Sequence, residues 1–279
     1  MDHQELNKDI VKFIINIDNE HQLFYFKSLV NEMNDKENFN VFSPYFNGNI
    51  LVLFLNLKEN KVITGTTDAK LVEKVGIRIK LAAEKYLNYL GQTQYLKGYE
   101  WEYKLVESKD INAWCMPGGK IVVYSGILPV TLNEAGLATV MGHEVSHALA
   151  NHGAQRMSAA QLQQIGAVGV ALATGKESAE KQEMWQKYYG IGSQVGVMLP
   201  FSRSHESEAD KIGLTLMAIA GYNLEESVLF WERMAAKSSG KSHPEFLSTH
   251  PSDATRIEDL KTLIPEAKTI ATKVGIIAR

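Results

Sequence analysis

The 279-residue chain has a single cysteine, Cys115, so no internal disulfide can brace it and no cystine pattern speaks to its compartment. An excess of one charge is missing as well. The 29 Lys and Arg face 32 Asp and Glu for a net charge of -3, which removes the electrostatic case for a nucleic-acid partner. Long apolar runs are also absent. The most apolar early stretch, Ile50 to Leu57, falls far short of the roughly 20 residues that cross a bilayer and suits a buried strand. No transmembrane helix is expected, and membrane association would be peripheral. The opening MDHQELNKDIVKFIINIDNE lacks the basic start and the apolar core of roughly 7 to 15 residues that mark a secretory signal. The expected compartment is the cytoplasm, unless a targeting segment precedes this start.

What is present is an ordinary globular composition, 45% hydrophobic and 22% charged, enough for one substantial core or two modest ones. Residues 1–60 read as a poorly defined N-terminal segment with turns at Ser43-Pro44 and Asn47-Gly48, and 61–279 as one domain. Within that domain, Asp68 to Tyr89 places Leu71, Val75, Ile77, Ile79, Leu81, Ala82 and Tyr86 largely on one helical stripe. Glu102 to Val106 and Ile121 to Tyr124 read as strands around a Pro117-Gly118-Gly119 turn. A long helix is expected from about Asn133 to His152, capped by Asn133 or Thr131 and stopped at Gly153. Residues 158–200 read as a helical excursion able to act as a lid. Further helices are expected at about Ser204 to Ala220, Leu224 to Ala236 and Ser252 to Leu263, divided by Gly221 and by Ser238-Ser239-Gly240. The fold class is α+β, mainly helical, with a small sheet.

The sharpest signal is His143-Glu144-Val145-Ser146-His147, an HExxH motif. Residues four apart share a helix face, so both imidazoles can bind one zinc ion. Glu144 then lies beside the metal as a general base for a water attacking a peptide carbonyl. The bland alternative is a helix face with two surface histidines, but Val140, Met141, Val145, Ala148 and Leu149 argue for burial around them. A third ligand is expected from Ser204-His205-Glu206-Ser207-Glu208-Ala209-Asp210, where Glu206 and Asp210 are again four apart. Glu206 is assigned to the metal and Asp210 to the outer nitrogen of a ligand histidine, with Glu208 pointing away and His205 the weaker candidate. His152, five beyond His147, reads as structural. Cys115 reads as a small buried residue.

HEVSHALANH followed by SRSHESEADKIG resembles the gluzincin group of the CAAX prenyl proteases, the HtpX membrane proteases and the mitochondrial and bacterial envelope quality-control peptidases, metallopeptidase family forty-eight. The resemblance runs from about Val62 to the C-terminus and includes Asn112-Ala113, Ala220-Gly221-Tyr222-Asn223, and Thr249-His250-Pro251 with Arg256. It implies a gluzincin-like fold and one zinc per chain, on His143, His147 and Glu206. It further implies that Asn112, Ala113 and Trp114 form an edge strand receiving an extended polypeptide, and that His250 lies near the metal, donating to the oxyanion or binding zinc in a closed form. Arg256 would brace that loop or the Asp210 network, or be an ordinary surface arginine. The implied substrate is unfolded or misfolded polypeptide, and the implied setting is the cell envelope if the start is incomplete. The rival readings are a chaperone-like polypeptide-binding module with negligible proteolysis and a helical scaffold with coincidental motifs. Natural substrate and oligomeric state are not specified by the chain.

Overall fold

The computed structural model describes residues 61–116, 118–238, 244, 246–247, 250 and 254–275. The expectations for residues 1–60, Pro117, Ser239-Gly240, Thr249, Pro251 and Ser252 lie outside the described residues. The described chain is mainly helical, with four short strands. In order they are β1 (Val62–Ile63), α1 (Thr67–Tyr89), β2 (Glu102–Val106), β3 (Ala113–Met116), β4 (Lys120–Tyr124), the short α2 (Leu128–Thr131), α3 (Glu134–Leu149), α4 (His152–Thr174), α5 (Ala179–Ser193), α6 (Leu199–Ile219), α7 (Glu225–Ser238) and α8 (Ala254–Lys273).

Strand order is β1-β2-β4-β3, with β2 and β4 parallel and the outer pairs antiparallel. Among the described residues β3 therefore lies at an edge of the sheet, with Asn112 one residue before the strand rather than in it. Gly118 and Gly119, both at positive φ, make the tight β3–β4 connection. All five residues of β4 are buried, so the centre of the sheet is covered on both faces.

α3 is the central element. Asn133 caps it by accepting a hydrogen bond from Gly136 N at 2.9 Å, and Leu137, Ala138, Val140, Met141, Val145 and Ala148 are all buried around its circumference. α1, α6, α7 and β3 pack against it. Its crossing with α6 is made at two glycines. A Cβ on Gly142 would lie 3.2 Å from the Gly213 carbonyl oxygen, and one on Gly213 would lie 3.1 Å from the His143 nitrogen. Backbone contact at that point is what lets short side chains on the two helices meet.

Three boundaries differ from the sequence expectation. α3 ends at Leu149 rather than His152, because Asn151 takes a left-handed conformation (φ 57°) and restarts the chain as α4. α6 begins at Leu199 rather than Ser204. It runs on from a π-helical turn, Gln194–Met198, and Pro200 stands where that turn gives way to the α-helix. α8 continues through Pro265 to Lys273. An interior proline costs about 3 kcal/mol, yet Leu260, Ile264, Ala267 and Ala271 bury one stripe of α8, and each large member contributes about 1.5–3 kcal/mol. Burial wins. α4 and α5 pack on each other as a hairpin whose Leu162, Ile165, Leu172 and Trp185 are exposed.

Candidate metal centre

α3 supplies His143, Glu144 and His147, α6 supplies Glu206 and Asp210, and α8 supplies Arg256. His250 comes from the segment before α8. That segment is pinned by Phe246, fully buried and stacked on Trp231 with centroids 5.7 Å apart, whose backbone N–H donates to Ile111 O at 3.1 Å. The His250 backbone N–H in turn donates to Phe246 O at 2.8 Å. The aromatic core thus fixes where His250 can stand.

His143, His147, Glu206 and His250 each offer a ligand atom, and these atoms lie within 4.8 Å of one another, all buried. The His143 and His147 Nε2 atoms are 3.0 Å apart, and Glu206 lies 3.3 Å from the first and 3.4 Å from the second. His250 Nδ1 sits 2.9 Å from Glu206 Oε2 and 3.1 Å from His143 Nε2. Three imidazoles and a carboxylate converging in a buried space form a donor set suited to a divalent metal ion. Glu144 supports the same conclusion: its Oε1 is buried without a hydrogen bond, the His250 ring approaching at 3.3 Å but out of alignment. A carboxylate oxygen left so is costly unless the site holds something for it to bind.

Around the cluster the charges are paired. His143 Nδ1 meets Asp210 Oδ1 at 2.9 Å. Arg256 grips Asp210 with two hydrogen bonds of 2.7 Å, reaches Glu206 at 3.3 Å and stacks over Trp231 at 3.5 Å. Arg256 is thus buried against Asp210 and Glu206 rather than on the surface.

These contacts set the proton affinities. Burial holds Glu206 and Asp210 up, but for Glu206 the His250, His143 and His147 rings outweigh it, and for Asp210 the Arg256 guanidinium and His143 do, so both carboxyls fall below their usual range. Burial pushes the Glu144 carboxyl up, only partly offset by His250 and His143. Burial also drives His147 well below its ordinary value. His143 goes the other way: burial lowers it, but Asp210 and Glu206 together push it up to about 9. A proton held more tightly in the folded protein than in the unfolded chain, near 6.5, stabilises the fold at low pH and is lost as pH rises. The metal-free protein is therefore expected to lose stability between pH 6.5 and 9, by at most about 1.4 kcal/mol per pH unit. Thermal melts in chelator check this, and a melting temperature that is flat or rising across that window contradicts it.

Asn112 and Ala113 are buried at the start of β3, with Asn112 Oδ1 accepting from Ala113 N at 2.9 Å and Asn112 O from Tyr124 N at 3.0 Å. Trp114 Nε1 is buried without a hydrogen bond. β3, an edge strand among the described residues, packs against the HExxH helix α3. Burial and then Glu144 push the Cys115 thiol up, and Cys115 is not among the converging donors. His205 is not among them either, and stacks on His152 at 4.1 Å. Glu208 does not simply point away: its Oε2 lies 3.2 Å from His152 Nε2, and His152 Nδ1 lies 2.8 Å from His147 Nδ1. Sequence reasoning missed both contacts. The available signal was Asn151, a residue that tolerates the left-handed break.

No helix among the described residues is long and apolar enough to cross a membrane. Comparison with known proteins finds a match to the family model "Peptidase family M48" over residues 84–264. Mitochondrial metalloendopeptidase OMA1 of Saccharomyces cerevisiae is 34% identical over 201 residues, covering 70% of this chain and 56% of the relative. The Arabidopsis thaliana protein of the same name is 37% identical over 168 residues, covering 59% and 32%. The beta-barrel assembly-enhancing protease of Escherichia coli is 30% identical over 167 residues, covering 58% and 34%. The chain thus spans about half or less of the length of these curated relatives. With the HExxH helix, the Glu206–Asp210 helix and the buried donor cluster at their crossing, the chain belongs to peptidase family M48.

Proposed function

We propose that this protein is a zinc-dependent metalloendopeptidase acting on unfolded or misfolded polypeptide. The observation that carries the reading is the convergence of His143, His147 and Glu206 beside Glu144, whose buried oxygen lacks a hydrogen bond. The three converging residues would hold the ion, which suits zinc because two imidazoles and a carboxylate with room for a further ligand are a catalytic zinc set. When bound, zinc supplies Lewis acidity to the scissile carbonyl and acidity to water. Glu144 takes the proton of the attacking water and passes it to the departing amine, a role helped by a carboxyl whose proton affinity burial has raised. Asp210 accepts from Nδ1 of His143 and so holds Nε2 towards the ion, while Arg256 keeps Asp210 charged and in place.

The edge of β3 at Ala113 and Trp114, with Asn112 just before it, would pair with an extended substrate backbone, placing one peptide bond against the cluster. His250 stands among the ligands in this conformation. That position supports a closed form in which it completes the donor set, and a working form in which it turns to donate to the oxyanion. The relatives' names, a metalloendopeptidase and a protease enhancing β-barrel assembly, support polypeptide as substrate and protein quality control as setting. In the test, purified protein is incubated with casein as isolated, after chelation, and after zinc is restored. Cleavage lost on chelation and recovered with zinc is expected. Cleavage that survives complete chelation would overturn the reading, and polypeptide binding without cleavage in the zinc-loaded protein would favour a chaperone-like module.

A further inference from the structure

The two histidines of the HExxH motif are supported differently. His143 rests directly on a carboxylate, Asp210, at 2.9 Å. His147 meets another histidine instead. Its Nε2 faces the donor cluster, and its Nδ1 lies 2.8 Å from Nδ1 of His152, whose Nε2 reaches Glu208 Oε2 at 3.2 Å. On an unbroken helix His152 would sit about 140° around from His147. The left-handed Asn151 ends α3 and turns His152 back against it. His152 is 1% exposed and clamped by the parallel ring of His205, interplanar angle 13°, which is itself held by Gln155 at 2.9 Å and by the Phe201 ring at 4.1 Å.

We propose that His152 is a positioning residue for the metal ligand His147, and that Glu208 orients His152 in turn, so that a carboxylate supports this ligand through an interposed imidazole. The inference rests on the metal-site reading above. The hydrogen-bond polarity along the chain is self-consistent. A metal on Nε2 of His147 requires its proton on Nδ1, which donates to the lone pair of His152 Nδ1. The proton of His152 is then on Nε2, where it donates to the Glu208 carboxylate. Each group has one role open to it, so the arrangement selects the tautomer that presents Nε2 of His147 and fixes its ring plane. Stacking alone would not demand this: a phenylalanine at position 152 would stack on His205 equally well but accept nothing from His147.

The test is zinc affinity, read by competition with a chromophoric chelator, alongside the melting temperature of each metal-free variant. His152→Phe is expected to weaken zinc binding by about 10- to 100-fold, the usual consequence of removing an outer partner of a metal-bound histidine. His152→Gln, whose amide can accept from His147 and donate to Glu208, is expected to recover most of that loss. Glu208→Ala removes a half-exposed side chain and leaves the core untouched; it is expected to weaken binding by about 3- to 10-fold, the smaller effect of a more distant partner. This variant keeps the proposal testable if His152→Phe melts early. Wild-type affinity in both His152→Phe and Glu208→Ala, or a His152→Gln as weak as His152→Phe, would overturn the proposal. Failure of the wild-type protein to bind zinc would instead overturn the metal-site reading, and the relay with it.

Discussion

Glu144→Gln is expected to lower casein cleavage by about 10²- to 10⁴-fold, the range that a positioned general base supplies, while zinc content and melting temperature hold or rise. The two halves of this expectation come from the same environment. Glu144 is buried on α3 with an oxygen that no donor satisfies, and burial raises its carboxyl. Replacing it by an amide of the same shape therefore removes a desolvated charge without breaking a hydrogen bond, and stability does not suffer. It does remove the lone pair that takes the proton from water. Glu144 is not among the converging donors, so the metal stays. A Gln variant within tenfold of wild type would show that another group carries the proton. A variant that loses its zinc would show that Glu144 is a ligand.

Arg256→Met is expected to be among the most destabilising single changes at the site, by about 3–5 kcal/mol, because one partner of a buried ion pair is left behind. Arg256 spans the gap between α8 and α6, with two 2.7 Å bonds to Asp210, a contact to Glu206 and its planar face over Trp231. Methionine keeps an unbranched apolar stem but loses the guanidinium's stacking over Trp231 and leaves Asp210 facing His143 alone. Lysine would not restore the pair, since a point charge cannot make the two-pronged contact. Asp210→Asn in the same chain removes the stranded charge while still accepting from His143, so the double variant is expected to regain a substantial part of the loss. Denaturant unfolding of the two single variants and the double provides the cycle. Strict additivity, or an Arg256→Met loss below about 1 kcal/mol, would show that the pair does not hold α8 to the site.

Much of this site is legible in the sequence because its geometry is local. His143 and His147 share a helix face by arithmetic, as do Glu206 and Asp210, and both helices form where the apolar spacing places them. The capping of α3 by Asn133 and the amphipathic α1 follow from the same short-range rules. What was misread depends on a single backbone dihedral or on distant packing. Asn151 turns left-handed, and two residues that look out of phase, His152 and Glu208, become neighbours of a candidate ligand. The last helix is expected to end near Leu263, yet the buried stripe from Leu260 to Ala271 carries α8 through Pro265 to Lys273. Arg256 looked as much like a surface residue as a bracing one, because its partners lie 46 residues away on α6 and its aromatic platform on α7. The excursion from 158 to 200 is helical as its composition implies, in the form of a hairpin.

The most direct test of the account is the zinc content and zinc-edge X-ray absorption of protein purified without chelator, for wild type, His147→Ala and Glu206→Ala. One zinc per wild-type chain in a nitrogen and oxygen environment, lost from both variants, is the predicted result. Wild-type protein without stoichiometric zinc, or zinc retained at full occupancy in either variant, would contradict the claim that the crossing of α3 and α6 is a metal centre.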